Sequence, residues 1–158
     1  MEKLVEKPET VSENLSAEEL RVCFVCTGNT CRSPMAEAAA NHFLGEKGVR
    51  ACSAGLFAGG EPISANAVKA LDALNIPVDP GRRSVAADPL VLAPCELIIG
   101  MTERHAMELI TRFPQFSSRV GCMPHGISDP FGGDEDDYRR CLEQIIDGLK
   151  ELFPTRFS

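Results

Sequence analysis

The sequence predicts an α/β protein of three layers, with a central four-stranded parallel sheet flanked by helices. Three observations predict it. Short apolar runs alternate along the chain with longer stretches of helical periodicity, which is the signature of a parallel sheet wound with crossover helices. The first run, Val22-Cys23-Phe24-Val25, is continuously apolar, as a strand covered on both faces requires. A length of 158 residues with 44% hydrophobic content supplies one core and not two.

The elements follow in order. Residues 1–19 are read as an acidic, solvated extension, and residues 20–158 as the folded domain. The first 20 residues hold six Glu and two Lys and so carry four of the seven net negative charges. Ser16-Ala17-Glu18-Glu19 fits a capping box and could start one helical turn, but the solvated reading is preferred. After the first strand comes Thr27-Gly28-Asn29-Thr30, then a helix from Pro34, a residue suited to a first turn. That helix is read with Met35, Ala38, Ala39, His42 and Phe43 inward, and Gly45 and Gly48 end it. A second strand over Val49 to Ala54 precedes a helix near Pro62 to Leu74, with Ala67, Ala70, Leu71 and Leu74 inward.

The middle, Asn75 to Pro94, is rich in Pro and Asp and carries no clear assignment. Leu97 to Met101 reads as a third strand, followed by a helix presenting Ala106, Leu109, Ile110 and Phe113; Val120 to Met123 reads as a fourth strand. Tyr138, Leu142, Ile145, Ile146, Leu149, Leu152 and Phe153, spaced by threes and fours, mark the last helix. In such a fold a ligand binds beyond the carboxyl ends of the strands, which points to Cys26, Met101 and the loop after Met123.

Composition narrows the function. No window approaches the uninterrupted apolar run of roughly 20 residues that a membrane span needs, so no membrane partner is expected. A net charge of −7 argues against a nucleic-acid partner, because gripping a phosphate backbone takes clustered Lys and Arg. Any anion site must be local. The N-terminus lacks the basic start and apolar stretch of a signal peptide, so the seven cysteines are expected to be reduced thiols in a cytoplasm.

The chemistry is concentrated in Cys26-Thr27-Gly28-Asn29-Thr30-Cys31-Arg32-Ser33-Pro34, between a predicted strand and a predicted helix. Successive backbone N–H groups in such a loop converge on one anion, and the helix dipole adds positive charge at the same point. Gly28 is read as the residue that lets the backbone bend inward. The field that holds a dianion also favours a thiolate at Cys26. Arg32 can hold two phosphoryl oxygens through its planar fork, and Ser33 can donate a hydrogen bond to the sulfur as it leaves. This is equipment for phosphoryl transfer through a cysteinyl-phosphate. The acid that such a mechanism needs is expected at Asp129, in Ser128-Asp129-Pro130-Phe131-Gly132-Gly133, on the same edge of the sheet.

At these residues the sequence resembles the low-molecular-weight protein-tyrosine phosphatase family, over roughly Glu19 to Phe153. The Cys26–Ser33 loop, Ser53-Ala54-Gly55 and Asp129-Pro130 occur in the family's order. The resemblance implies Cys26 as nucleophile, Arg32 as phosphate clamp and Asp129 as general acid. It further implies substrate contacts from Thr27, Gly28, Asn29, Thr30, Cys31, Ser33 and Phe131, phosphorylated proteins as partners, and no cofactor or metal. Cys31 matches the family's second loop cysteine, which can form a reversible disulfide with the nucleophile. Thr30, Met101-Thr102 with His105, and Phe131-Gly132-Gly133 look more like the bacterial protein-arginine phosphatases. Thr30 could shape the pocket around a phosphoguanidinium. Many family members brace the loop asparagine, here Asn29, with a histidine; Pro80 stands nearest to that position, and Ser53 remains available.

Other readings are weighed beside these. Cys23-x2-Cys26-x4-Cys31 could suggest zinc ligands or a thioredoxin-like pair, but no second cluster appears at knuckle spacing, and Cys23 and Cys26 point to opposite faces of a strand. The remaining cysteines are read as packing, and His42 as a core histidine. His105 is either near the site or solvated on its helix. Asp134 to Asp137 is read as the acidic first turn of the last helix. A thiol-linked arsenate reductase shares the loop and fold, but here only Cys95 lies in the region of the required downstream cysteine pair. A phosphate-binding adaptor is disfavoured by the joint presence of Cys26, Arg32 and Asp129. Oligomeric state is left open.

Overall fold

The computed structural model describes residues 19–157; the acidic extension and its capping-box motif lie almost wholly outside them. Four parallel strands form one sheet: β1 (Leu20–Cys26), β2 (Val49–Gly55), β3 (Leu97–Gly100) and β4 (Val120–Cys122), in the order β2-β1-β3-β4. Helices α1 (Arg32–Leu44), α2 (Ala65–Ala73), α3 (Pro89–Leu92), α4 (Glu103–Arg112) and α5 (Glu135–Leu152) complete it. The three-layer architecture expected from the sequence is the one observed.

The central strand β1 shows why the fold has two cores. Val22, Phe24 and Cys26 face one way, into a cluster with Met35, Leu71, Tyr138, Leu142 and Ile145 from α1, α2 and α5. Cys23 and Val25 face the other way, among Leu92, Cys95, Ile98, Leu109 and Phe116. Both faces are sealed, so Val22 to Val25 are fully buried and the apolar run is continuous. The chain leaves β1 towards β2 on one side and returns to β3 on the other. The carboxyl end of β1 is therefore the topological switch point, where open sheets bind ligands.

Three helix faces differ from the sequence expectation. In α1 the buried side holds Met35, Ala36, Ala39, Ala40 and Leu44, whereas His42 and Phe43 are exposed. His42 is therefore not a core residue. Alanines at 36, 38, 39 and 40 give nearly every side of this helix the same small apolar character, so periodicity defines its phase poorly. Leu74 and Ile110, expected inward, are also exposed. The helix itself begins at Arg32, two residues before Pro34.

The unassigned middle becomes structural support for the loop after β1. Gly55 N–H donates to the Val85 carbonyl and Ala87 N–H to the Gly55 carbonyl, extending the end of β2 with this segment. At the start of α5, Asp134 accepts from the Asp137 N–H at 2.9 Å and Asp137 accepts from the Asp134 N–H at 3.0 Å. The acidic run is thus the reciprocal cap of that helix.

Candidate active site

The loop from Cys26 to Arg32 turns at the mouth of a cavity of about 290 Å³, lined by residues 26 to 32 together with Asp129 and Phe131. Cys26 lies at its foot, 3% exposed, with its Sγ 2.9 Å from Ser33 Oγ and accepting from the Asn29 N–H at 3.3 Å. The sequence-expected contact between Ser33 and the sulfur is therefore present. Arg32 opens α1 and is buried; one guanidinium nitrogen donates to the Ile127 carbonyl at 3.1 Å, and another lies 3.6 Å from Asp129 Oδ2. Asp129 remains largely exposed at the rim, its other oxygen accepting from the Phe131 N–H at 3.1 Å. Phe131 stands out into solvent beside it. Cys26, Arg32 and Asp129 are brought together from the end of one strand, the start of a helix and a loop on the same edge.

The residue that makes the loop turn is Asn29, not Gly28. Asn29 is fully buried and holds φ at +59°, in the left-handed region, whereas a Cβ on Gly28 would meet nothing nearer than Thr30 Oγ1 at 3.7 Å. Asparagine tolerates this region better than most residues. Its amide is fixed at both ends: the side-chain nitrogen donates to Ser33 Oγ at 2.7 Å and Ser53 Oγ at 2.9 Å, and the oxygen accepts from the Val85 N–H at 2.8 Å.

Ser53 does hold Asn29, and it is held in turn by Arg82. The Arg82 guanidinium donates to Ser53 Oγ at 2.7 Å and pairs with Glu37 at 3.1 Å, while Ser53 donates to Glu37 at 2.6 Å. Arg82, two residues beyond Pro80, thus supplies the support for which the sequence offers no histidine. Nothing in the local sequence marks Arg82 or Glu37, because only the fold brings the Pro-rich middle under the loop.

Beneath the loop, Gly55 pairs in register with Cys26. A Cβ there would lie 2.8 Å from the Thr27 carbonyl oxygen and 3.0 Å from Asn29 Cβ. Gly55→Ala is expected to displace the loop and lower kcat about 10- to 100-fold, since small misplacements at a reacting centre are costly. Steady-state kinetics on an aryl phosphate, with a melting curve to confirm folding, provide the measurement.

His105 belongs to the site and not to the solvated surface. It is buried, with Nε2 3.0 Å from Thr27 Oγ1 and Nδ1 3.0 Å from Thr102 Oγ1. Burial, and then the positive Arg32 nearby, hold its pKa down to about 4, so the ring is neutral near neutral pH. Because the folded value lies below the unfolded one, protons favour the unfolded chain as pH falls from about 6.5 to about 4. Stability is expected to be fully present above that window and to lose up to about 3 kcal/mol from this group across it. Denaturant melts of the wild type and His105→Gln should show the difference between the two proteins shrinking through the same interval.

Cys31, at the N-cap of α1, lies 3.2 Å from the Tyr138 hydroxyl and 3.6 Å from Thr30 Oγ1. Tyr138 reads from its spacing as a simple core residue, and its polar end is what the spacing leaves invisible. The remaining thiols do not all lie apart: Cys23, Cys52 and Cys95 meet on the far face of the sheet.

A parallel sheet that delivers a Cys-x5-Arg loop onto a helix N-terminus, with an Asp-Pro loop across its mouth, defines the class of small cysteine-dependent phosphatases. The model of the low molecular weight phosphotyrosine protein phosphatase family matches residues 21–157, and the chain belongs to that family. Among its relatives is the low molecular weight protein-tyrosine-phosphatase PtpB of Staphylococcus haemolyticus, 36% identical over 134 residues that cover 80% of this chain and 93% of that protein. An arsenate reductase of Bacillus cereus is 32% identical over 134 residues, covering 85% of this chain and 94% of that one. The solved structure of the YwlE arginine phosphatase from Geobacillus stearothermophilus superposes with a TM-score of 0.73 at 35% identity, over 86% of this chain and 94% of that one. The protein is a protein phosphatase of this family, and among the described residues no helix is long and apolar enough to cross a membrane.

Proposed function

We propose that the protein hydrolyses phosphorylated proteins through a cysteinyl-phosphate on Cys26, with phosphoarginine preferred over phosphotyrosine. The observation that carries the chemistry is the convergence of Cys26, Arg32 and Asp129 on one small cavity. The Cys26 thiolate attacks phosphorus, forming the S–P bond as the P–N or P–O bond to the substrate breaks. Asp129 gives its proton to the leaving nitrogen or oxygen. Arg32 and the loop N–H groups gain most when charge spreads over the equatorial oxygens. Asp129, now a carboxylate, takes a proton from water, which attacks phosphorus; the S–P bond breaks and the thiolate returns with release of phosphate.

The phosphoarginine preference rests on Thr30, which lines the cavity with its hydroxyl 3.6 Å from Cys31 Sγ, and on the kinship with arginine phosphatases. Thr30, Cys31, Gly28 and Phe131 are assigned contacts with the substrate. The test is a paired assay on phosphoarginine and phosphotyrosine peptides. Phosphoarginine should be hydrolysed with the higher kcat/KM, and Thr30→Ile should shift the ratio about 10-fold or more towards phosphotyrosine, the scale of one or two methylenes in a pocket. An unchanged ratio in Thr30→Ile removes position 30 from specificity.

Arsenate reduction by a thiol relay is disfavoured by the position of Cys95. It packs in the apolar cluster on the sheet face opposite Cys26, so it is not placed to receive a disulfide from the loop. Thioredoxin-coupled turnover of arsenate would overturn that ranking.

A further inference from the structure

The thiols that the phosphatase chemistry does not use form a second constellation. Cys23 of β1 and Cys52 of β2 are parallel register partners, so their side chains stand side by side on the same face of the sheet. Cys95 precedes β3 and reaches the same point from the other flank of β1. The three sulfurs lie within 4.8 Å of one another, and Cys52 Sγ and Cys95 Sγ are 3.8 Å apart. A cation bound to thiolates at about 2.3 Å needs sulfurs about 3.8 Å apart in a tetrahedral arrangement and about 4.0 Å apart in a trigonal one. The observed triangle is close to that size before any side chain moves.

We propose that Cys23, Cys52 and Cys95 form a binding site for a thiophilic metal cation of the zinc(II) or copper(I) class, separate from the phosphatase site. Thiolate donors select such ions over magnesium or calcium. Cys23 and Cys95 are buried, while Cys52 is only partly so, which leaves one open side for entry and for a fourth ligand from solvent.

Positive charge stands close to the triangle. Arg21 acts on Cys95 and Arg82 on Cys52 as nearby positive charges, with the Glu96 carboxylate opposing at Cys95. These two guanidinium groups offset part of the negative charge of a tris-thiolate complex. Binding needs no oxidant: three S–H bonds give three metal–sulfur bonds, and the protons pass to solvent, so affinity should rise with pH. A lone packing role accounts for a buried cysteine here or there. It does not require three of them from separate segments of the chain to converge at ligand spacing.

The site lies on the same strand as Cys26, three residues upstream and on the opposite face, so the two functions can be separated by substitution. The test uses the full, reduced chain titrated with cobalt(II), which reports thiolate ligation by charge-transfer absorption, and then with zinc(II). The expected result is one equivalent bound with a thiolate signature, its displacement by zinc, and a higher Tm in the loaded protein. Cys52→Ser, at the least buried of the three positions, should lose the signature and keep aryl-phosphatase activity. Cys95→Ser should lose it independently, and Cys26→Ser should retain it. Absence of a thiolate signature, its persistence in Cys52→Ser, or its loss in Cys26→Ser would each overturn the proposal.

Discussion

Cys26→Ser is expected to lose aryl-phosphatase turnover by roughly 10⁴-fold or more while the protein still folds and still binds inorganic phosphate. A serine hydroxyl at this position remains protonated, so the attacking anion is lost along with the better leaving group of the second step. Removing a nucleophile that acts as a unit with its partners has effects of about this size or larger in other hydrolases. The fold should tolerate the change, because the Cys26 side chain contributes one small sulfur to the core and oxygen can accept the same bonds from Ser33 and Asn29. Retained phosphate affinity, measured by calorimetry, separates loss of the nucleophile from collapse of the loop.

Asp129→Asn is expected to lower kcat about 10²- to 10⁴-fold, the usual contribution of a positioned acid or base. The carboxyl is exposed and makes few bonds within the fold, so stability should change little. Its ion pair with Arg32, at 3.6 Å, joins two residues that line the cavity. An amide at this position cannot donate a proton to the leaving group or accept one from water. The loss should therefore be smallest for substrates whose leaving group departs readily without a proton. A series of aryl phosphates with leaving groups of graded acidity should show a steeper dependence in Asp129→Asn than in the wild type.

The contiguous part of the site was legible because its function depends on chain neighbours. Cys26, Arg32 and Ser33 lie on one strand–loop–helix turn, and strand and helix propensity place them without reference to the rest of the fold. Asp129 needed one further step, the rule that parallel strands end on the same edge. The support of Asn29 was not legible, since Arg82, Val85 and Ser53 reach it from segments placed by tertiary packing. The same reason hid the thiol triangle: Cys23, Cys52 and Cys95 have no common spacing, and only the strand order sets them side by side. Gly28 and Asn29 exchange roles for a different reason. Glycine suggests a turn, yet a buried asparagine with both amide heavy atoms hydrogen-bonded occupies the left-handed backbone conformation here.

The covalent intermediate is the centre of the account, and rapid quenching tests it most directly. The wild-type protein mixed with an aryl phosphate should release aryl alcohol in a first-turnover burst approaching the enzyme concentration. The quenched protein should carry one phosphoryl group, located by mass spectrometry on the peptide containing Cys26. Steady turnover with no phosphoryl group on Cys26 at any time in the first cycle would contradict it.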